Sequence, residues 1–212
     1  MKLTVFGATG AIGGHVVRQA LETGDSVTAV VRRASVFELS HPRLEVVRVA
    51  GLTEPSALRE ALDRADAAIS GVGPRARKDV TVASTATRGI LGALEACGVK
   101  RFVAVSAAPV APPAEGDSFL NTRIVFPLMG RMLRDIYADL ATMEREIMAS
   151  GLDWTIVRPP RLVDKALTGI YRTATGANVA RGVTISKADV AHLMRAALID
   201  PAMSRQAVGV AY

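Results

Sequence analysis

The stretch Val5 to Gly14, VFGATGAIGG, places four glycines within eight residues, directly after an apolar run. Apolar residues then return at helical spacing: Ile12, Val16, Val17, Ala20 and Leu21, with Gly24 as a stop signal. A strand that hands over to a helix through such a loop must bring its backbone close to something. In the spacing Gly7-x-x-Gly10-x-x-Gly13, Gly7 allows a tight turn and Gly10 a close approach to a pyrophosphate. Gly13 allows the helix to pack tightly on the sheet. The free N–H groups and positive dipole end of that helix then face the phosphates. A P-loop would need Gly-Lys-Ser/Thr, whereas residues 13–15 read Gly-Gly-His.

Downstream, strand and helix periods alternate. KLTVF (2–6), SVTAVV (26–31) and LEVVRV (44–49) read as the first three strands. AAISGVG (67–73) is the fourth strand with its exit loop, RFVAVSA (101–107) the fifth and WTIVRP (154–159) the sixth. Helices are expected after Thr53 or Glu54, with Pro55 in the first turn, and from about Thr81 to Ala96. Met129, Leu133, Ile136, Leu140, Met143 and Ile147 form one stripe on a further helix, and SKAD (186–189) resembles a capping box. A strand is expected near GIYRT. Such alternation predicts an α/β fold: a doubly wound parallel sheet in three layers, covered by helices on both faces. It is read as one domain over residues 1–212, with 108–136 and 162–185 on the substrate side.

The end of the second strand selects the nucleotide. An acid there would hold a ribose 2′-hydroxyl and favour NAD. This chain instead has Arg32 and Arg33, followed by Ser35. Guanidinium forks grip a 2′-phosphate through charge-assisted bonds. NADP(H) is therefore the expected cofactor, with the Thr9 hydroxyl close to the same phosphate.

FGATGAIGGHVV, VVRR, VAVSAA, SGLDWTIVRPPRL, LTGIY and ISKADVAHLM together resemble the atypical short-chain dehydrogenase/reductases. Within them the chain is most similar to the NAD(P)H-binding group that includes biliverdin-IXβ reductase/flavin reductase and the NmrA-like proteins. The likeness runs from Lys2 to Tyr212 and implies a Rossmann-type fold with a small C-terminal portion covering the substrate. It further implies that Gly7, Thr9, Gly10, Ala11, Ile12 and Gly13 line the diphosphate and adenosine. Gly71, Val72 and Gly73 would pass beside the central ribose, Ser106 and Ala107 would border the nicotinamide, and Pro159, Pro160, Arg161 and Leu162 would close over it. Two departures stand out. Ala50 and Gly51 replace the Gly-Asp common after the third strand, leaving Leu52 or backbone to contact adenine. The Tyr-x-x-x-Lys pair is missing: Tyr137 is followed four residues later by Ala141, and Tyr171 by Thr175.

Hydride transfer to a conjugated acceptor such as a flavin, quinone or tetrapyrrole asks little of the protein beyond orientation and exclusion of water. Ser106 is the candidate catalytic hydrogen-bond donor, and Arg75 and Arg161 are candidates to attract an anionic acceptor. Apolar lining from Phe119, Phe126, Met129, Met132 and Met143 is equally readable as core. The alternative is a non-catalytic NADP(H) sensor of the NmrA type. A sugar epimerase or dehydratase would need the missing pair.

The remaining features narrow the class. The 212 residues carry a formal charge of +6, but the positives are scattered and no nucleic-acid-binding pattern accompanies them. The single cysteine, Cys97, excludes an internal disulfide and reads as a buried small hydrophobe in a reducing interior. His15, His41 and His192 match no metal-ligand spacing. No stretch approaches the roughly 20 apolar residues that span a bilayer, and the N-terminal run is too short for a signal peptide. A cytoplasmic protein with a small-molecule partner and neither nucleic acid nor membrane is expected, as a monomer or at most a weak homodimer.

Overall fold

A computed structural model describes residues 1–74, 80–111 and 133–212. Its strands and helices are β1 (Lys2–Phe6), α1 (Ala11–Glu22), β2 (Ser26–Arg32), β3 (Leu44–Val49), β4 (Ala67–Ser70), α2 (Val82–Cys97) and β5 (Arg101–Val105). They continue as α3 (Arg134–Ala149), β6 (Asp153–Arg158), β7 (Arg161–Val163), β8 (Arg172–Thr175), β9 (Thr184–Ser186), α4 (Lys187–Ile199) and β10 (Gln206–Ala211).

One sheet runs β3-β2-β1-β4-β5-β6-β10-β8, and β7 pairs with β9 in a small parallel sheet. The order reverses between β1 and β4, the switch point of a Rossmann-type fold. All pairings of the large sheet are parallel except β10 with β8. The central strands are apolar runs because both of their faces are covered. Leu3 and Val5 of β1 face α1 and α4, where they pack with Val16, Val17, Val190 and Met194. Phe6 turns to the opposite face, joining Ile90 and Leu94 of α2 and Met143 and Ile147 of α3.

Several expectations need correction. No α-helix follows Thr53 and Glu54. Pro55–Leu58 and Glu60–Leu62 are 3₁₀ turns instead: the Glu54 side chain caps nothing, and the two turns plug Leu58, Ala61 and Leu62 into the core. The sheet is not wholly parallel, because β8, the strand near GIYRT, adds antiparallel to its edge. β10 was not expected. Its QAVGVA is alanine-rich and broken by Gly209, which masks the strand pattern. Cys97 is half-buried at the last turn of α2 rather than fully enclosed. In SKAD, the Ser186 hydroxyl accepts from the Asp189 N–H (2.9 Å) as a capping box requires. The reciprocal half differs: the Ser186 N–H donates to the Tyr212 hydroxyl instead (3.1 Å).

Candidate functional site

The C-terminal ends of β1, β2, β4, β5 and β6 open onto a cleft of about 800 Å³. That volume lies within the roughly 300–1,000 Å³ common for small-molecule sites. At its centre, Gly7 takes φ +74°, a left-handed conformation that costs glycine little. The turn is closed by the Gly10 N–H donating to the Gly7 carbonyl (2.8 Å). Gly10 is the N-cap of α1 and brings no side chain to the first-turn N–H groups. That helix end is thus left to polarise whatever lies in front of it. Gly13 sits behind the loop and not in the cleft wall. A Cβ there would lie 2.2 Å from the Gly7 carbonyl oxygen, and one on Gly71 would meet the Gly13 nitrogen at 3.0 Å. The β1 exit, the first turn of α1 and the β4 exit thus pack backbone to backbone.

The walls on either side come from named expectations and from residues that sequence reading missed. Gly7, Thr9, Gly10, Ala11, Ile12, Arg32, Leu52, Gly71, Val72, Gly73, Ser106, Pro159 and Leu162 all line the cleft. Arg33 and Ser35 lie just beyond, in an adjoining hollow of about 700 Å³ that also touches Thr9, Arg32 and Ala50. The Ser35 N–H donates to the Arg32 carbonyl (2.8 Å), which bends the chain back after β2. Both arginines are exposed, and neither forms an ion pair among the described residues. Ala107 and Pro160 are half-buried and outside the lining, and Arg161 is exposed at the start of β7. Arg75, Phe119, Phe126, Met129 and Met132 lie outside the described residues.

Ser106 ends β5 with its N–H donating to the Val157 carbonyl (2.8 Å). Its residue is 8% exposed, and its Oγ has no hydrogen-bond partner among the described residues. A buried hydroxyl left so is costly unless something else meets it.

Missed contributors include Thr53 at the β3 exit, Thr81, Val82, Thr85 and Ala86 on the opening of α2, and Leu140 of α3. None belongs to a motif. They reach the cleft because α2 and α3 pack against one another over the sheet. Asp139 of α3 is 8% exposed and accepts from the N–H groups of Ala83 (2.8 Å) and Ser84 (3.3 Å), capping α2 from outside. One turn on, Glu144 forks onto Arg158 at the end of β6, with the Arg158 Nε donating to Oε1 at 3.0 Å.

Burial raises the pKa of Tyr137 on α3 above its ordinary value, and no lysine follows it one turn later. Tyr171 is pushed up to about 12 by burial and by the nearby Asp189 carboxylate, and its hydroxyl bonds His192 Nδ1 (2.7 Å). Both phenols therefore stay protonated at neutral pH. His15, half-buried in α1, is held below its ordinary value by burial and by the charges of Arg18 and Lys187, against the opposing pull of Asp164. Asp164 pairs with Lys187 at 2.6 Å. No group of three or more His, Cys, Asp or Glu side chains suited to a metal ion occurs among the described residues. No helix of those residues is long and apolar enough to cross a membrane.

Residues 7–201 match a protein family described as NAD(P)H-binding. An uncharacterized chloroplastic protein of Arabidopsis thaliana is 34% identical over 176 residues, covering 79% of this chain and 61% of its own length. The chain thus spans under two thirds of that relative. A short-chain dehydrogenase/reductase (wide type) from Veillonella parvula, solved in complex with NADP, superposes with a TM-score of 0.81 at 19% identity. It covers all of this chain and 94% of its own. A Streptococcus pneumoniae protein whose name proposes an NADH-flavin reductase gives a TM-score of 0.80 at 24% identity, covering 100% and 99%. At these identities the two structures speak for the fold alone.

Proposed function

The chain belongs to the NAD(P)H-binding family, and from that premise we propose that it is an NADPH-dependent reductase acting on a conjugated acceptor such as a flavin, a quinone or a tetrapyrrole-like ring. The observation that carries this reading is the pairing of two features at opposite ends of one cleft. Arg32, with Arg33 in the adjoining hollow, stands at one end without an ion-pair partner among the described residues, and the buried Ser106 Oγ, likewise without a partner among them, at the other.

The residues present fit a dinucleotide. A Cβ at Gly7 or Gly13 would run into backbone, so the loop stays thin in front of α1. The uncapped first turn of α1 suits a diphosphate. Arg32, Arg33 and Ser35 suit a 2′-phosphate, and the Veillonella relative was solved with NADP. Thr53 and Leu52 flank the adenine side in place of the missing acid. Ser106, Pro159 and Leu162 would border the nicotinamide.

When bound, the coenzyme supplies a hydride at its reduced nicotinamide ring. The chain's own part is to bind, to orient and to shield. Val105, Pro159, Leu162 and Leu140 give the deep end apolar walls that exclude water. The Ser106 Oγ–H is free to donate one hydrogen bond to a heteroatom of the acceptor. Neither Tyr137 nor Tyr171 lines the cleft and neither is followed by a lysine one turn later, so a tyrosine proton donor is not part of the scheme. Acceptors that are already electrophilic therefore suit the site better than simple ketones. The name of the pneumococcal neighbour agrees in kind with a flavin acceptor.

The experiment is NADPH oxidation followed by near-ultraviolet absorbance with FMN, FAD and small quinones. Turnover with at least one is expected. Tight NADPH binding with no turnover on any acceptor would replace this reading with that of a sensor.

A further inference from the structure

Arg158 and Glu144 form a forked ion pair whose residues are only 7% and 3% exposed. Neither lines the cleft. Burying such a pair is expensive, and apolar replacements of similar volume are often as stable or more so. Stability alone gives the chain little reason to hold it. Its neighbours supply a better one.

On one side of Arg158, the Val157 carbonyl accepts from the Ser106 N–H (2.8 Å). On the other, the Pro159 carbonyl accepts from the Ala108 N–H (2.9 Å). The β6 exit thus carries both the Ser106 backbone and Pro159, two groups that line the cleft. Arg158, between them, points away into the protein and is held by Glu144. Glu144 lies one turn beyond Leu140, itself in the cleft wall, and five residues beyond Asp139, which caps the α2 opening. A single buried face of α3 therefore ties together three walls.

We propose that Glu144 and Arg158 are positioning residues for the nicotinamide end of the cleft. They fix the β6 exit to α3, and with it the places of Pro159 and the Ser106 hydroxyl. The proposal rests on the dinucleotide reading above and adds residues that touch neither coenzyme nor acceptor.

The test compares the parent protein with Glu144→Met/Arg158→Met, which leaves no lone charge buried, and with Glu144→Asp, which keeps the pair but shortens the reach from α3. Each is titrated with 2′,5′-ADP, which carries only the adenosine half, and with NADPH, followed by the emission of the reduced nicotinamide. The double variant should keep the parent's melting temperature, and both variants should keep its affinity for 2′,5′-ADP. Their affinity for NADPH should fall about tenfold, a modest misplacement in free-energy terms, with nicotinamide emission moving toward that of free coenzyme. Equal loss for both ligands, or no loss for either, overturns the positioning role. Should the double variant fail to fold, Glu144→Asp decides by the same criteria. A parent that takes up neither ligand refutes the dinucleotide reading itself, and the proposal with it.

Discussion

Gly13 packs so tightly on Gly7 that a Cβ on the former would stand 2.2 Å from the carbonyl oxygen of the latter. The obstacle is backbone, not the tip of a flexible side chain, so α1 must lift away to admit even a methyl group. Overpacking of this kind costs about 1–3 kcal/mol, occasionally more. Gly13→Ala is expected at the upper end of that range, read as a lower urea midpoint, together with a loss of NADPH binding. An unchanged midpoint would mean that the contact is not as close as described.

Arg32 and Arg33 flank the same hollow as Ser35, with no carboxylate paired to either among the described residues. A charge-assisted hydrogen bond contributes about 1.5–3 kcal/mol. Arg32→Ser/Arg33→Ser should therefore weaken NADPH by about a hundredfold and leave NADH nearly unchanged. Parallel fluorescence titrations of the two coenzymes check this. Equal affinity for both in the parent would remove the basis for NADP(H) preference.

Ser106→Ala removes a hydroxyl that has no partner among the described residues. The melting temperature of the protein without ligand should hold or rise slightly, since an unmet buried hydroxyl is a cost. Turnover should fall about tenfold, the effect of losing one hydrogen bond of about 1.5 kcal/mol, with coenzyme affinity unchanged. A drop in melting temperature with turnover intact would assign Ser106 to structure alone.

Asp189 is wholly buried at the start of α4. Burial opposes its ionisation, but hydrogen bonds from the Tyr212 hydroxyl, the Gly169 N–H, the Ser186 hydroxyl and the Thr168 N–H outweigh this and hold its pKa at about 2. An unfolded aspartate titrates near about 3.9. The folded value is the lower one, so this stabilisation is complete above about pH 4 and is lost as the pH falls toward 2. Asp189→Asn should flatten the acid limb of a stability-against-pH curve and speed amide exchange at Thr168 and Gly169, both of which donate to this carboxylate. An acid limb as steep as the parent's would show that other carboxylates set it.

Much of this was legible in order along the chain because the signals are local. β1 and β3 match their expected bounds, and β2, β5 and β6 fall within a residue or two of theirs, because short apolar runs bounded by turn residues leave little ambiguity. The Gly7 to Gly13 loop was equally clear, since its spacing encodes backbone contacts made within a few residues. What escaped notice depends on chain partners far apart. Thr81 and Thr85 carry no pattern of their own, Leu140 reads only as one step of an apolar helical stripe, and all three enter the cleft through the packing of α2 on α3. Asp139 and Glu144 belong to no sequence pattern, and the residues they meet, Ala83 and Arg158, are brought beside them only by the fold. β10 was hidden by its alanines and Gly209, whose place in the sheet is set by β6 and β8.

Two helices open onto the cleft, and they are not equivalent. Asp139 already occupies the amide end of α2, whereas α1 presents its own bare behind Gly10. An elongated ligand with a negatively charged middle is drawn to one anchorage instead of two. Under the proposed function, that single anchorage takes the diphosphate, and the exposed guanidiniums after β2 are what would tell one end of the coenzyme from the other. The carboxylate of Asp139, by capping α2, keeps the second helix from competing for the same charge.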